Sequence, residues 1–491
     1  MAQEKKPDAA VQEPVRRFES NGSLSIGGKK LSYTATAAWQ PLFEGDKEKA
    51  EIFHTYYRVG RRDAGSRPLT FVFNGGPGAA SAYLHVGAIG PRRIETNKDG
   101  TLPASPVRLV DNAETWLGFT DLVFVDPVGT GLSRAKPEED KEKADKSAGQ
   151  ETFYWDVAND LSALCDFITG FLSRESRWRS PIFLAGESYG GYRAARLVRQ
   201  LQDQAGVGLS GAMLISPALE WDSLFSSRFN VLARALGIPS YAAAARFHGR
   251  CRAAKRGESL PAFLERAEEY ALETFLPAAA RGDGRPDKAM KAAYGELADW
   301  IGLDVEIISK HSARVGMRTF ARELLRDQDL VVGVYDAAVT SRDPLPITDS
   351  FAGVDPTLGG LNRLYTAGAN AHIREGLGVE SERKYELLNF TVNRGWQWRD
   401  QTTGSPVPPG ATDDLAVGLA MNPSMKLMLV HGIYDLITPY FESKHLVRHL
   451  RQDSRGVADI ELRTYEGGHM FYMWEKSRRA FTADAKKLIA G

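Results

Sequence analysis

The residues of this sequence best suited to chemistry begin with a serine held between glycines. Gly186–Gly190 reads Gly-Glu-Ser-Tyr-Gly, which places Ser188 at the centre of a G-x-S-x-G pattern. So short a pattern arises easily by chance, and the sequence around it must show whether Ser188 is a nucleophile. An apolar run suited to a strand, Ile182–Ala185, precedes it, and a stretch suited to a helix, Arg193–Leu197, follows it. A sharp strand-to-helix turn holds a serine hydroxyl above a sheet, so we predict a nucleophile here rather than an ordinary turn.

A serine hydroxyl needs a base to take its proton, and the base needs an acid to orient it. The apolar run Leu427–Val430 leads to Asp435, which is therefore expected just beyond the carboxyl edge of a strand. The run Asp459–Tyr465 predicts the last strand, and a glycine-bearing loop carries His469 directly after it. The order serine, acid, histidine is that of hydrolases with a parallel sheet. We predict that Asp435 orients His469 and that His469 accepts the proton of Ser188.

Other histidines offer weaker alternatives. His431 is expected at the same strand end, but it precedes Asp435 and so breaks that order. His445 and His449 are spaced to share one face of a helix, as two metal ligands would be, yet no glutamate follows His445 as the H-E-x-x-H pattern requires. A solvated helix face explains this pair better, and neither a metal nor a cofactor is expected.

A developing oxyanion requires two hydrogen-bond donors, usually backbone N–H groups. One comes from the residue after the nucleophile, here Tyr189, and the other from a loop at an earlier strand end. The run Phe71–Phe73 leads into such a loop, Asn74–Gly78, whose glycines let the backbone approach a substrate closely. An ordinary glycine-rich turn is the alternative; a dinucleotide loop is disfavoured because no G-x-G-x-x-G opens a helix here.

The elements that must position these residues follow an α/β pattern. Residues 22–58 favour antiparallel strands, and short apolar runs suited to buried parallel strands follow at Leu69–Phe73, Leu122–Val125, Ile182–Ala185, Ala212–Ile215 and Leu427–Val430. Helical stretches separate several of them, for example Tyr154–Leu172 and Tyr192–Gln204. We therefore predict an α/β-hydrolase fold: a central, mostly parallel sheet flanked by helices.

A long middle stretch lacks strand patterns and instead contains three amphipathic helical runs, Pro261–Leu276, Asp287–Ile301 and Val305–Leu325. The predicted division is a disordered tail over 1–17, the first part of the hydrolase core over 18–222, a helical cap insertion over 223–350, and the second part of the core over 351–491.

Composition excludes several classes of protein. Lysine plus arginine equals aspartate plus glutamate, at 62 each, which gives no basic surplus for nucleic acid. Two cysteines are too few for a disulfide framework, and no apolar run is long enough to cross a membrane. The charged start lacks the apolar core of a signal peptide. The expected location is thus the cytoplasm if the chain is complete as given, and the periplasm or exterior if a signal was removed.

Four blocks resemble the serine carboxypeptidase family, a branch of the α/β hydrolases, and the chain is most similar to its bacterial type. They are Asn74–Gly78 (N-G-G-P-G), Pro127–Ser133 (P-V-G-T-G-L-S), Gly186–Gly191 (G-E-S-Y-G-G) and Gly468–Met470 (G-H-M). The blocks occur in the family's order and span residues 70 to 475. The resemblance implies oxyanion donors at the N–H groups of Gly76 and Tyr189.

The resemblance also implies how substrate is held. In the family, the asparagine of N-G-G-P-G and the glutamate before the nucleophile bind the substrate's terminal carboxylate, which maps onto Asn74 and Glu187. Two carboxyl groups in contact must share a proton, and this raises their apparent pKa. The simpler alternative for Glu187 is a buried carboxyl that only shapes the turn.

The sequence departs from the family pattern at three places. Ala79–Ser81 replaces C-S-S, Gly432–Asp435 keeps only the second aspartate of G-D-x-D, and Met470–Tyr472 replaces the usual V-P continuation. These departures leave the three predicted triad residues in place.

The resulting hypothesis is a serine carboxypeptidase that releases C-terminal amino acids through an acyl-enzyme on Ser188. Its partners would be peptide substrates with a free C-terminus, with no nucleic acid and no membrane; a homodimer is compatible with the sequence. One alternative is an acyltransferase or esterase using the same triad. Another is a non-catalytic binding or stabilising protein on a hydrolase scaffold.

Overall fold

A central sheet organises the chain. The computed structural model describes residues 16–60, 66–136, 148–224, 227–281, 288–347, 351, 353–398, 409–456 and 459–491. The predicted tail over 1–17 therefore lies almost wholly outside the described residues; the first strand already begins at Arg17. Within the described chain the strands are β1 Arg17–Ile26, β2 Lys29–Glu44, β3 Lys47–Arg58, β4 Leu69–Phe73, β5 Arg92–Ile94, β6 Leu109–Asp111, β7 Asp121–Val125, β8 Arg134–Ala135, β9 Ile182–Glu187, β10 Gly211–Ile215, β11 Leu330–Val332, β12 Thr340–Arg342, β13 Lys426–Gly432 and β14 Asp459–Tyr465.

The strands pair in the order β1-β2-β3-β7-β4-β9-β10-β13-β14, with β8 alongside β3. The first four strands in this order pair antiparallel, and every pair from β7 to β14 is parallel. Strands β4, β7, β9 and β10 are buried at every residue, which explains their unbroken apolar character. The predicted α/β-hydrolase fold, with its antiparallel entry and parallel centre, is confirmed.

Helices cover both faces of the sheet. They are α1 Ala82–Leu84, α2 Ala148–Phe153, α3 Val157–Arg174, α4 Tyr189–Asp203, α5 Trp221–Leu224, α6 Val231–Phe247, α7 Leu260–Glu269, α8 Leu276–Arg281, α9 Lys288–Ile301, α10 Val305–Lys310, α11 Met317–Glu323, α12 Pro356–Asn370, α13 Phe390–Gly395, α14 Thr412–Met421, α15 Tyr440–Asp453 and α16 Glu475–Ala490. Among the described residues, no helix combines the length and apolar character needed to cross a bilayer.

Three hydrophobic clusters stabilise the fold. One cluster packs on each face of the sheet, and the third joins helices α6 to α11. This third cluster also contains Ile433, Tyr434 and Leu436, which flank Asp435. The helical part of the chain thus packs directly on the loop that carries the predicted acid. The predicted boundaries at 223 and 350 themselves remain a prediction.

Two features of the helical part differ from the expectation. The run Val305–Leu325 forms two helices, α10 and α11, because Ser312 and Ala313 between them adopt positive φ angles of 49° and 60°. The same part also contains a short antiparallel hairpin of β11 and β12. Strands of three residues carry too little alternation to be recognised from sequence.

Candidate active site

Ser188 lies at the turn between β9 and α4. Its φ of 59° and ψ of −123° are strained for a residue with a side chain. The flanking glycines make the turn feasible: a Cβ on Gly186 would lie 2.0 Å from the carbonyl oxygen of Gly190, and one on Gly190 would lie 2.5 Å from that of Phe73. The backbone is therefore too close for any other residue, and the serine is held at the carboxyl edge of the sheet.

Asp435 and His469 follow the neighbouring strands β13 and β14 and meet in a buried pair. His469 Nδ1 lies 2.7 Å from Asp435 Oδ2, and the two residues are 4% and 0% exposed. The same Asp435 oxygen accepts the Thr438 hydroxyl at 2.7 Å, while its Oδ1 accepts the N–H groups of Ile437 and Thr438. With Nδ1 donating to the carboxylate, a neutral His469 presents its unprotonated Nε2 as a base.

Ser188 and His469 line one small cavity of about 70 Å³. No hydrogen bond between the Ser188 hydroxyl and the imidazole forms among the described residues, and such bonds commonly tighten only around a substrate. Burial by itself lowers the pKa of His469, but the charge of Asp435 and its hydrogen bond to the imidazole outweigh it, and the net pKa is raised. His469 thus becomes a stronger base than an isolated imidazole.

The three histidines weighed as alternatives lie in other surroundings than His469. His431 is fully buried with Nδ1 3.2 Å from the carbonyl oxygen of Thr438, and burial lowers its pKa to about 4. His445 is half-buried and His449 exposed, with ring centroids 4.6 Å apart on α15. Among the described residues, no group of three potential ligands surrounds this pair or any other site.

The loop after β4 contains Gly76, one of the two predicted oxyanion donors, and packs against the turn that carries the other, Tyr189. Gly75 packs so tightly against the nucleophile turn that a Cβ there would lie 2.5 Å from Tyr189 N. Gly76 adopts a φ of +102°, which strongly favours glycine. Within the described chain, the N–H groups of Gly76 and Tyr189 donate to no protein acceptor. Two free donors therefore lie beside the nucleophile.

Asn74 and Glu187 form a buried pair beside Ser188. Asn74 Nδ2 donates to Glu187 Oε2, and Asn74 Oδ1 accepts the N–H of Leu84 at 2.9 Å, which sets the orientation of the amide. Both residues line the cavity of Ser188 and His469. The pair predicted to bind a carboxylate is thus assembled before any substrate is present.

The carboxyl group of Glu187 holds a proton unusually well. Burial raises its pKa to about 7, against the opposing effects of His469, Tyr472 and Asn74. Its Oε1 is buried and has no hydrogen-bond partner among the described residues, although the Tyr472 hydroxyl lies nearby. An unsatisfied oxygen in a cavity wall is suited to a ligand atom.

The hairpin of β11 and β12 adds contacts that the sequence patterns miss. Tyr335 lies in the turn of this hairpin, and its carbonyl oxygen accepts the N–H of His469 at 2.5 Å. The ring of Tyr335 packs edge-on against the imidazole of His469, with centroids 5.5 Å apart. Ser216, at the end of β10, donates its hydroxyl to the carbonyl oxygen of His469 at 2.9 Å. Ser216 directly follows the predicted strand Ala212–Ile215, so its position at the carboxyl end of the sheet marks it as a candidate site residue. Tyr335 lies in a hairpin whose sequence shows no strand pattern.

The sequence model of one protein family, described as serine carboxypeptidase, matches residues 42–483 and so covers most of the chain. The chain belongs to the serine carboxypeptidase family. The predicted resemblance is therefore confirmed.

Individual relatives of the serine carboxypeptidase family match over shorter stretches. Serine carboxypeptidase-like 36 of Arabidopsis thaliana is 24% identical over 179 residues, which cover 35% of this chain and 33% of the relative. The pheromone-processing carboxypeptidase KEX1 of Yarrowia lipolytica is 32% identical over 151 residues, 30% of this chain and 21% of the relative. These alignments span a third or less of the relatives' own length.

Two solved structures that match the chain resemble it only distantly. Esterase E22 has a TM-score of 0.39 at 12% identity and covers 97% of this chain and 100% of its own. Homoserine O-acetyltransferase from Bacillus anthracis has a TM-score of 0.38 at 10% identity and covers 98% of this chain and 99% of its own. A similarity of this size says nothing about activity.

Proposed function

We propose that this protein is a serine-type carboxypeptidase that removes C-terminal amino acids from peptides. The observation that carries the proposal is the shared cavity: Ser188 and His469 line it together with the Asn74–Glu187 pair. A hydrolase with only the first two groups would accept many acyl substrates. A protonated carboxyl beside an amide donor adds a specific site for a substrate carboxylate.

The reaction begins with binding of the substrate's free C-terminus. The Asn74 amide and the protonated Glu187 carboxyl hold the terminal carboxylate and thereby place the last peptide bond at Ser188. The Ser188 hydroxyl attacks the carbonyl carbon while its proton moves to His469 Nε2. The carbonyl oxygen becomes an oxyanion and accepts hydrogen bonds from the N–H groups of Gly76 and Tyr189.

Collapse of this intermediate breaks the C–N bond. The His469 imidazolium, stabilised by Asp435, gives its proton to the leaving nitrogen, and the terminal amino acid departs. The shortened peptide remains as an ester on Ser188. Water then attacks that ester, again with His469 as base, and releases the peptide and the serine hydroxyl.

Two ionisations set the expected pH dependence. His469 must be neutral to accept a proton, so the rate falls as pH drops through its raised pKa. Glu187 must be protonated to share a hydrogen bond with a carboxylate, so binding weakens as pH rises above about 7. The active form has both groups neutral, and a bell-shaped profile of kcat/KM follows.

We further propose that residues 223–350 act as a cap over this site. In support, the hydrophobic cluster of helices α6 to α11 includes the residues flanking Asp435, and the β11–β12 hairpin contacts His469.

Mass spectrometry of peptide products tests the proposed function. The protein is incubated with a synthetic peptide and with the same peptide carrying a C-terminal amide. We expect successive loss of single residues from the free acid, much slower loss from the amide, and none with Ser188→Ala. Internal cleavage, or equal cleavage of acid and amide, would contradict the proposal. Transfer of the acyl group to an added alcohol in preference to water would favour the acyltransferase alternative.

A further inference from the structure

A second, larger cavity adjoins the catalytic one. It has a volume of about 660 Å³, within the range of ligand pockets, and lies under α11 and the β11–β12 hairpin. Tyr335 and Leu358 line both cavities and so form their common wall. The catalytic cavity, at about 70 Å³, has room for little more than the reacting end of a peptide. Further residues of a substrate must lie outside it, and the larger cavity is adjacent.

The walls of the larger cavity are partly apolar and partly polar, and more cationic than anionic side chains line it. Val331, Val332 and Met317 contribute to the apolar walls. Lys310 and Arg318 line the cavity from α10 and α11, and both are exposed. His311 also lines it, half-buried.

Three acidic groups at or near this rim have partners among the described residues. Glu323 binds Arg326 at 2.8 Å, and Asp343 pairs with the buried Arg322. Asp355 accepts the N–H groups of Val334, Thr357 and Leu358 at 2.7 to 3.0 Å and so serves as a helix cap.

Within the described chain, neither Lys310 nor Arg318 forms an ion pair with a carboxylate. Among the described lining residues, the four cations Lys310, Arg318, Arg322 and Arg326 outnumber the two carboxylates Glu323 and Asp355. The net charge of this lining is therefore positive, and the cavity adjoins that of the nucleophile.

We propose that this cavity binds an acidic side chain of the peptide substrate, within a few residues of the bond that is cleaved. Arg318 and Lys310 are the residues that select it, and the apolar walls accommodate the neighbouring methylene groups. The proposal rests on the proposed function, because that function makes the occupant a peptide. It adds a side-chain preference that neither the catalytic residues nor the family implies.

Paired peptides measure this preference. N-acetylated tripeptides of alanine carry either glutamate or its neutral isostere glutamine at one of the three positions. Binding is measured on Ser188→Ala, which retains the pocket without turnover, and kcat/KM on the unaltered protein. At low salt we expect glutamate to be favoured about fivefold at one position at least, and less at high salt, because exposed charges are screened.

Two sets of variants assign the preference to its residues. Arg318→Gln combined with Lys310→Gln should bring the glutamate-to-glutamine ratio close to one. Arg256→Gln removes one positive charge from an exposed residue of the helical part that does not line the cavity, and should leave the ratio as it was. Equal binding of both peptides at all three positions would overturn the proposal. So would a preference that survives the double variant or disappears in Arg256→Gln.

The two readouts separate this inference from the proposed function. Cleavage of the tripeptides without discrimination would leave the carboxypeptidase standing and overturn the acidic pocket. Selective binding to Ser188→Ala without cleavage by the unaltered protein would leave the pocket standing and overturn the carboxypeptidase.

Discussion

The sheet edge and the helical part hold the active site in different ways. At the sheet edge, the backbone around Ser188 and Gly75 is packed so closely that glycine is required on both sides of the nucleophile. The helical part packs on the loop that carries Asp435, and among the described residues its hairpin turn contacts His469 through a backbone hydrogen bond and the ring of Tyr335. We infer that the sheet provides the chemistry, while the helical part tunes the position of His469 and selects the substrate. Changes in the first region should therefore cost far more activity than changes in the second.

The largest effect is expected for Asp435→Asn at the sheet edge. The substitution removes the acceptor that sets the tautomer of His469 and stabilises its charged form, and kcat should fall about 10⁴-fold. His431→Gln, at the end of the same strand, is the matched control and should retain most of the activity. Steady-state kinetics on both variants, with circular dichroism to confirm folding, provide the measurement. Equal losses in the two variants would contradict the assignment of Asp435.

A smaller effect, dependent on pH, is expected for Glu187→Gln. In the unaltered protein Glu187 loses its proton above about pH 7, and the resulting carboxylate repels that of the substrate. For a single ionisation, KM should rise about fivefold between pH 7 and pH 8. Glutamine does not titrate, so this rise should vanish in the variant. A neutral ester substrate is the control, because its KM should show no such rise with either protein; a rise that persists in Glu187→Gln would refute the role.

In the helical part, Asp336→Asn should lower kcat by about tenfold. Asp336 lies beside Tyr335 in the hairpin turn and accepts the Trp474 Nε1–H at 3.1 Å and the N–H of Ala338 at 3.0 Å. Burial raises its pKa to about 6. We regard it as a residue that positions the His469 loop, so kcat should change while KM stays nearly constant.

Trp474→Phe tests the same contact from its other side. It removes the indole donor to Asp336 and should lower kcat in the same direction but less. A variant set in which KM changes and kcat does not would show that the hairpin acts on substrate binding instead.

The smallest effect on catalysis and a distinct effect on stability are expected for Glu442→Gln. Glu442 is buried on α15 and accepts the Ser223 hydroxyl at 2.7 Å, where the chain leaves the core for the helical part. Burial raises its pKa to about 8. A buried carboxyl whose pKa is higher in the folded than in the unfolded protein stabilises the fold only while it is protonated. The protein therefore loses this stability as the pH rises from the unfolded pKa of about 4.5 through the folded pKa of about 8.

The glutamine variant should therefore gain stability relative to the unaltered protein only at higher pH. Denaturant unfolding at pH 5 and pH 9 should show a relative gain of roughly 4 kcal/mol at the higher pH. A difference between the two proteins that is the same at both pH values would contradict the assigned ionisation.

The sheet edge and the helical part also differ in how much of their structure the sequence predicts. The parallel strands follow from unbroken apolar runs, and Asp459–Tyr465 matches β14 at both ends. Strand ends then place Ser188, Asp435 and His469 at one edge, because parallel strands present their carboxyl ends together. The Asn74–Glu187 contact needed the family resemblance, since nothing in the spacing of 113 residues implies it.

The helical part could be predicted as helical but not in its details. The break between α10 and α11 depends on positive φ angles at Ser312 and Ala313, which neither residue type favours in isolation. The hairpin beside His469 is stabilised by tertiary contacts, such as the Leu436 N–H to the Val334 carbonyl oxygen, rather than by its own sequence. Such contacts leave no periodic pattern to recognise.

Covalent labelling of Ser188 tests the central claim most directly. The protein is treated with a fluorophosphonate, and the site of modification is read by peptide mass mapping, with and without a competing peptide that has either a free or an amidated C-terminus. We predict one adduct on Ser188, absent in Ser188→Ala, formed more slowly in the presence of the free acid than of the amide. An adduct elsewhere, no adduct, or equal protection by both peptides would contradict a nucleophile placed beside a site for the substrate carboxylate.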